Sequence, residues 1–114
     1  MTAVRLAETD EDIARAFPVM HQLRPHLEES AFVPTVRRLQ QGGFHLALLH
    51  DEGRVAAAGG FRFIENLVSG NTLYVDDLVT DAGARSHGYG RTLLHWLIAR
   101  ARAEGCRSFE LDSG

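Results

Sequence analysis

The most informative segment of the chain reads Leu78-Val79-Thr80-Asp81-Ala82-Gly83-Ala84-Arg85-Ser86-His87-Gly88-Tyr89-Gly90-Arg91. Its apolar start predicts the end of a strand, and the helical pattern that begins at Arg91 predicts a helix. Between them, Gly88 and Gly90 have no side chains, so backbone N–H groups can approach an anion closely. The N-terminus of the following helix adds unpaired N–H donors and a partial positive charge. The segment therefore predicts a phosphate-binding turn, to which Arg85 and Arg91 would add charge-assisted contacts.

Other interpretations of this turn stay open when only the residues are considered. An isolated pair of glycines also occurs in ordinary strand-to-helix turns that bind nothing. A dinucleotide-binding fold needs a third glycine three residues after the second, and Leu93 occupies that position. A P-loop is excluded because its mechanism requires a lysine, and all twelve basic residues of the chain are arginines.

The whole sequence predicts one mixed α/β domain over residues 1–114 with the element order βααβββαβ. Thr9 is expected to cap the first helix, which Pro18 and Pro25 would break or kink. The predicted strands cover residues 4–6, 44–50, 54–64, 72–80 and 106–111, and the other helices cover 32–41 and 91–104.

Composition narrows the class of protein. The net charge is −3 and 45% of the residues are apolar, which is typical of a globular protein and argues against nucleic acid as a partner. No apolar run is long enough to cross a membrane and no leader is visible, so we expect a cytoplasmic protein without membrane association. The six histidines are scattered and Cys106 is the one cysteine, so no metal site is expected.

The turn also carries a family resemblance. Arg85-Ser86-His87-Gly88-Tyr89-Gly90 matches every fixed position of the Arg/Gln-x-x-Gly-x-Gly/Ala cofactor motif of the GNAT superfamily of N-acetyltransferases, which the chain resembles over essentially all of its length. The resemblance implies the GNAT acyl-CoA N-acyltransferase fold, with acetyl-CoA as co-substrate.

The same resemblance implies roles for individual residues. The backbone of Leu78, Val79 and Thr80 would pair with the pantetheine arm of acetyl-CoA as an added strand. A bulge in that strand would open the slot for the arm, and a backbone N–H there would polarise the thioester carbonyl. The diphosphate would be surrounded by Arg85, Ser86, His87, Gly88, Tyr89, Gly90, Arg91 and Thr92.

Two carboxylates are candidates for the chemistry. An amine is mostly protonated at neutral pH, so a general base must remove a proton before the nitrogen can attack the thioester. Asp76 and Asp77 lie on the predicted strand beside the thioester, and Asp77 matches an acidic position of several small-molecule members of the family. Strand alternation would direct the two side chains to opposite faces. They are equally interpretable as surface or capping residues, or as groups that only attract a cationic amine.

The chain also departs from the family pattern. The resemblance implies a tyrosine that protonates the leaving thiolate, on a helix after the last predicted strand. Tyr74 and Tyr89 do not match that position and the sequence ends at Gly114. We therefore expect an incomplete record or a short form that lacks the C-terminal helix and last strands of the fold. The exposed sheet edge of a short form would favour a homodimer.

We therefore predict an acetyl-CoA-dependent N-acetyltransferase acting on a primary amine of a small molecule. The alternatives are a non-catalytic acyl-CoA-binding or sensory module, an acetyltransferase of protein lysines or N-termini, and an interaction protein with a vestigial turn. The segment 24–31 is a candidate substrate loop, from the position that the family uses for acceptor specificity. Arg37 and Arg38 are interpreted as a solvated helix face.

Overall fold

The computed structural model describes residues 1–85 and 87–111 as a five-stranded sheet with helices on both faces. The predicted order βααβββαβ is confirmed, with a short 3₁₀ turn, Ala82–Ala84, before the last helix. The elements are β1 (Thr2–Leu6), α1 (Asp10–Leu23), α2 (Glu29–Gln41), β2 (Phe44–Asp51), β3 (Arg54–Asn66), β4 (Gly70–Thr80), α3 (Tyr89–Ala103) and β5 (Ser108–Leu111).

The strands lie in the sheet in the order of the chain, β1-β2-β3-β4-β5. The first four are antiparallel to their neighbours, because each is joined to the next by a hairpin or by the α1–α2 connection. The strand β5 runs parallel to β4, as a strand–helix–strand crossover requires. This crossover brings the glycine turn to the end of β4.

Two apolar clusters lie on the two faces of the sheet. On one face, Ile13 and Met20 of α1 and Phe32 and Val36 of α2 pack against inward residues of β2 and β3. On the other face, Leu93 and Leu97 of α3 pack against Phe61, Leu73 and Val75. Successive residues of β4 serve opposite faces, since Leu78 packs on the α3 side and Val79 on the α1 side.

Three predicted features of the helices are corrected. The helix α1 is not broken at Pro18 but continues to Leu23, just before Pro25. Pro18 and Ala14 are both exposed, so water can bind the Ala14 carbonyl that the proline leaves without its N–H donor. The helix α2 begins three residues before the predicted Phe32, and α3 begins at Tyr89 instead of Arg91.

The cap at Thr9 is as predicted, since its hydroxyl accepts a hydrogen bond of 3.0 Å from the Asp12 backbone N–H. No helix in the described part of the chain is both long enough and apolar enough to cross a bilayer.

Candidate active site

The strand β4 contains a bulge at Asp76. Phe61 of β3 pairs with Val75 and Gly60 pairs with Asp77, so Asp76 is an extra residue without a partner on β3. An extra residue interrupts the alternation of side chains, and Asp76 and Asp77 therefore line the same cavity. This corrects the expectation that the two carboxylates point to opposite faces of the sheet.

The bulge lies where the outer edge of β4 becomes open. Residues 72–75 of β4 pair with 108–111 of β5. Within the described ranges 1–85 and 87–111, residues 76–80 pair only with β3, so their other edge has no strand beside it. An open edge presents backbone N–H and C=O groups that an extended ligand can bind as an added strand.

Each carboxylate at the bulge is held by an arginine, in a different way. Arg62 donates to both oxygens of Asp76, from Nε to Oδ2 at 2.9 Å and from Nη2 to Oδ1 at 2.8 Å. These hydrogen bonds raise the pKa of Arg62 above its ordinary value. Arg24 at the end of α1 donates from both Nε and Nη2 to Oδ1 of Asp77. In the described part of the chain, Oδ2 of Asp77 accepts no hydrogen bond and stays available to a ligand.

The cavity beside these carboxylates has a volume of about 570 Å³, which suits a small molecule. Its walls come from α1, α2, β2 and the loop between the helices, together with the bulge. They combine three arginines and two aspartates with an apolar surface formed by Met20, Leu27, Phe32, Val36, Phe44 and Leu46.

At the other end of the open edge lies the glycine turn. Gly88 is the N-cap of α3 with φ 75° and ψ 15°, a left-handed conformation that favours glycine, and no side chain of the described residues caps the helix. The first backbone hydrogen bond of α3 runs from the Thr92 N–H to the Gly88 carbonyl at 3.0 Å. The N–H groups of the first turn therefore remain for a ligand. They border a cavity of about 370 Å³ lined by Thr80, Arg85, Gly88, Tyr89, Gly90 and Arg91.

Gly90 is required by close packing. A Cβ at this position would lie 3.1 Å from Oγ1 of Thr80, closer than most side-chain contacts in proteins. The second glycine of the motif therefore lets the first turn of α3 approach the end of β4.

Side chains of the turn brace it against the sheet. The Tyr89 hydroxyl donates a hydrogen bond to Asp51 at the end of β2, and the ring of His87 stacks on that of Tyr89 at 5.3 Å. This hydrogen bond lowers the pKa of Asp51 and raises that of Tyr89. Nδ1 of His87 lies 3.0 Å from the Ala84 carbonyl, so that nitrogen carries the proton.

A second network joins the turn to α1. Gln22 donates from Nε2 to Asp81 at 2.8 Å and accepts from the Ala82 N–H at 2.8 Å. Arg54 donates to the other oxygen of Asp81 at 2.8 Å. The hydrogen bonds from Gln22 and Arg54 lower the pKa of Asp81, so the carboxylate stays charged at neutral pH. The helix α1, which lines the first cavity, thus also holds the segment that leads into the glycine turn.

The structure brings the predicted site residues into one continuous arrangement. Asp76 and Asp77 line the first cavity, the backbone of 78–80 forms the open edge, and Arg85 and Arg91 lie exposed beside the second cavity. His87 and Thr92 are exposed at the turn, whereas Tyr89 is buried. Ser86 lies outside the described residues.

Sequence reasoning missed the arginines of the first cavity. Arg24 lies in the predicted substrate loop, but no residue there could be singled out before its bond to Asp77 was known. Arg38 is exposed and Arg37 is partly exposed, as the predicted solvated face requires, but Arg37 also binds Asp10 and Arg38 also borders the cavity. For Arg62 the sequence offered one signal that could have pointed to the site, because it is a charged residue between two phenylalanines within a predicted strand.

The described residues offer no metal site, no activated cysteine and no tyrosine at the first cavity. The described residues contain no group of histidine, cysteine or acidic side chains that could hold a metal ion. Burial raises the pKa of the Cys106 thiol, which disfavours the reactive thiolate. Tyr89 bonds to Asp51, and no tyrosine in the described ranges lines the first cavity.

Comparison with known proteins identifies the class. The model of the acetyltransferase (GNAT) family matches residues 6–114, and the chain belongs to this family of acetyl-CoA-dependent N-acetyltransferases. The fold agrees with this family. The crystal structure of a GNAT family acetyltransferase from Staphylococcus aureus superposes on this chain with a TM-score of 0.89 at 18% sequence identity. The superposition covers 99% of this chain and 87% of that chain.

Two relatives resemble the chain in sequence. An uncharacterised N-acetyltransferase of Bacillus subtilis, YhdJ, is 29% identical over 100% of this chain and 81% of its own length. Glucosamine 6-phosphate N-acetyltransferase 1 of Oryza sativa subsp. japonica is 37% identical over 83% of this chain. The match spans 63% of that enzyme.

Proposed function

We propose that the chain transfers the acetyl group of acetyl-CoA to a primary amine of a small molecule, with Asp77 as the general base. The observation that carries the proposal is the course of β4. The strand passes from a cavity with two carboxylates, along an open edge, to a helix N-terminus whose N–H groups suit an anion. Acceptor, thioester and diphosphate require these three environments in this order.

The glycine turn suits the diphosphate of acetyl-CoA. The uncapped N-terminus of α3 and the two exposed arginines, Arg85 and Arg91, offer N–H donors and positive charge to an anion. We assign the remaining contacts to backbone groups from Arg85 to Thr92, Ser86 included. The open edge at Leu78, Val79 and Thr80 would pair with the pantetheine arm.

Asp77 is better suited than Asp76 to act on the amine. Arg62 occupies both oxygens of Asp76, whereas Arg24 bonds only Oδ1 of Asp77. Oδ2 of Asp77 would accept one proton from the ammonium, and the neutral nitrogen would then form a bond to the thioester carbon. The carbon–sulfur bond breaks, and the CoA thiolate that leaves takes up the second proton of the nitrogen to give the free thiol and the amide. Asp76 would act as a positioning residue that keeps Arg62 and the bulge in place.

The dimensions of the first cavity favour a small molecule over a protein as acceptor. A volume of about 570 Å³ and walls that are largely apolar suit a small ligand, whereas a peptide chain needs a long groove.

The replacement Asp77→Asn tests the catalytic assignment. We expect kcat for thiol release from acetyl-CoA with an amine acceptor to fall by about 10²–10⁴-fold, because an amide cannot take the proton. Affinity for acetyl-CoA, measured by calorimetry, should stay unchanged. The matched replacement Asp76→Asn should lower kcat less, since the amide oxygen still accepts one of the two hydrogen bonds from Arg62.

Two results would contradict this account. Full activity of Asp77→Asn would remove that residue as the base. Binding of acetyl-CoA without thiol release to any amine would favour the acyl-CoA-binding module over the enzyme.

A further inference from the structure

The charged residues of the first cavity indicate which groups the acceptor carries besides its amine. We propose that its acceptor is a primary amine joined through an apolar body to an anionic group, a carboxylate or a phosphate, and that Arg38 binds the anion. The inference rests on the proposed function, because it assumes that the amine end meets Asp77.

Among the described residues, the first cavity is lined by three arginines and two aspartates, an excess of positive charge in a chain of net charge −3. Arg24 pairs with Asp77 and Arg62 pairs with Asp76, which leaves Arg38 of α2 as the additional cation. Arg38 makes no ion pair or hydrogen bond with any residue in the described ranges. A plain alkylammonium would therefore add positive charge to a surface that already has one unmatched arginine.

The ion pair at Asp77 gives a second reason for an anion. An ammonium group that binds Asp77 competes with Arg24 for that carboxylate. A substrate that also has an anionic end brings a negative charge into the cavity as its ammonium group engages Asp77. Since the Arg24 side chain is 44% exposed, water screens this exchange and the resulting preference is moderate.

The walls between these charges define the body of the substrate. Phe32 and Val36 of α2 and Phe44 and Leu46 of β2 face the cavity, together with Met20 and Leu27. They favour an alkyl or aryl chain, because burying apolar surface is favourable whereas hydroxyl groups buried there would lose their bonds to water. This distinguishes the expected acceptor from an amino sugar phosphate.

The test compares matched acceptors with the full chain and acetyl-CoA. Thiol release is measured with 6-aminohexanoate, with hexylamine, which lacks the anion, and with 6-aminohexyl phosphate, which replaces the carboxylate. Because Arg38 is exposed and water screens its charge, we expect kcat/KM for at least one of the anionic acceptors to exceed that for hexylamine by about threefold to fivefold. The better of the two identifies the anion.

The variant Arg38→Gln should reduce that ratio to about one. Arg37→Gln is the matched control, because Arg37 is the neighbour that bonds Asp10 outside the cavity, and it should keep the wild-type ratio. Circular dichroism of both variants is recorded alongside, and only folded variants are compared.

The outcomes separate this inference from the proposed function. Acetylation of hexylamine at least as fast as that of both anionic acceptors overturns the inference and leaves the enzyme intact. A ratio that survives in Arg38→Gln overturns the role of Arg38. If glucosamine 6-phosphate is acetylated with a higher kcat/KM than 6-aminohexyl phosphate, the proposal that an apolar chain joins the amine to the anion is wrong. No thiol release with any of these amines contradicts the proposed function itself.

Discussion

At the scale of single residues, two adjacent glycines of β3 meet different surroundings. A Cβ at Gly60 would lie 2.6 Å from Cζ of Phe44, a residue that lines the first cavity. A Cβ at Gly59 would face the other side of the sheet, 3.4 Å from Cδ1 of Leu97, which is an ordinary contact. Gly60 therefore leaves room for the phenylalanine ring that forms part of the cavity wall.

We expect Gly60→Ala to displace the Phe44 ring, to raise KM for the amine and to destabilise the fold by about 1–3 kcal/mol. Affinity for acetyl-CoA should change little, since neither Gly60 nor Phe44 lines the cavity at the glycine turn. Steady-state kinetics and urea unfolding measure these effects, and Gly59→Ala is the control. Equal effects of both alanines on KM would show that Gly60 has no particular role at the cavity.

The partners of the catalytic candidates also belong to this scale, and the sequence does not predict them. Asp77 meets Arg24 across 53 positions of the chain, and Asp76 meets Arg62 across 14. Such contacts depend on strand register and on where a helix ends, neither of which a local pattern contains. The residue types at the site were predictable, whereas their pairing was not.

At the scale of elements, β4 and α3 show which local signals suffice. The apolar periodicity of α3 and the glycines before it predict a strand, a turn and a helix, and all three are present. The bulge at Asp76 was implied by the family resemblance, but its position and its effect on the two carboxylates are properties of the β3–β4 register. The first residue of α3 follows from the left-handed Gly88 and not from the apolar pattern.

At the scale of the whole molecule, two histidines of β2 link protonation to folding. Burial lowers the pKa of His45 and of His50, and neither ring nitrogen of His50 has a hydrogen-bond partner in the described part of the chain. Arg100 and Glu104 face His45, and Arg5, Asp12 and Arg15 face His50. The fold thus favours the neutral imidazoles.

Because both pKa values are lower in the folded chain, their contribution to stability is present above the unfolded pKa of about 6.5 and is lost as the pH falls through the folded values. We expect the free energy of unfolding in urea to decrease from pH 7.5 to pH 5. The lowered pKa values of carboxylates such as Asp51 and Asp81 change the free energy of unfolding only below about pH 4, outside this range.

The variant His50→Gln should flatten this pH dependence, whereas His95→Gln, on the exposed side of α3, should not. An unchanged slope in His50→Gln would show that this residue is not one of the titrating groups.

The central claim is that the uncapped N-terminus of α3 binds the diphosphate of acetyl-CoA, and one calorimetric titration tests it most directly. Gly88 and Gly105 lie at opposite ends of α3, both with φ +75° and with no atom within 4 Å of an added Cβ. Gly88→Glu and Gly105→Glu therefore introduce similar backbone strain, but only the first puts a carboxylate at the phosphate turn. We predict that the wild type and Gly105→Glu bind acetyl-CoA and that folded Gly88→Glu binds about 100-fold more weakly or not at all. Equal binding by both variants, or no binding by the folded wild type, would contradict the claim.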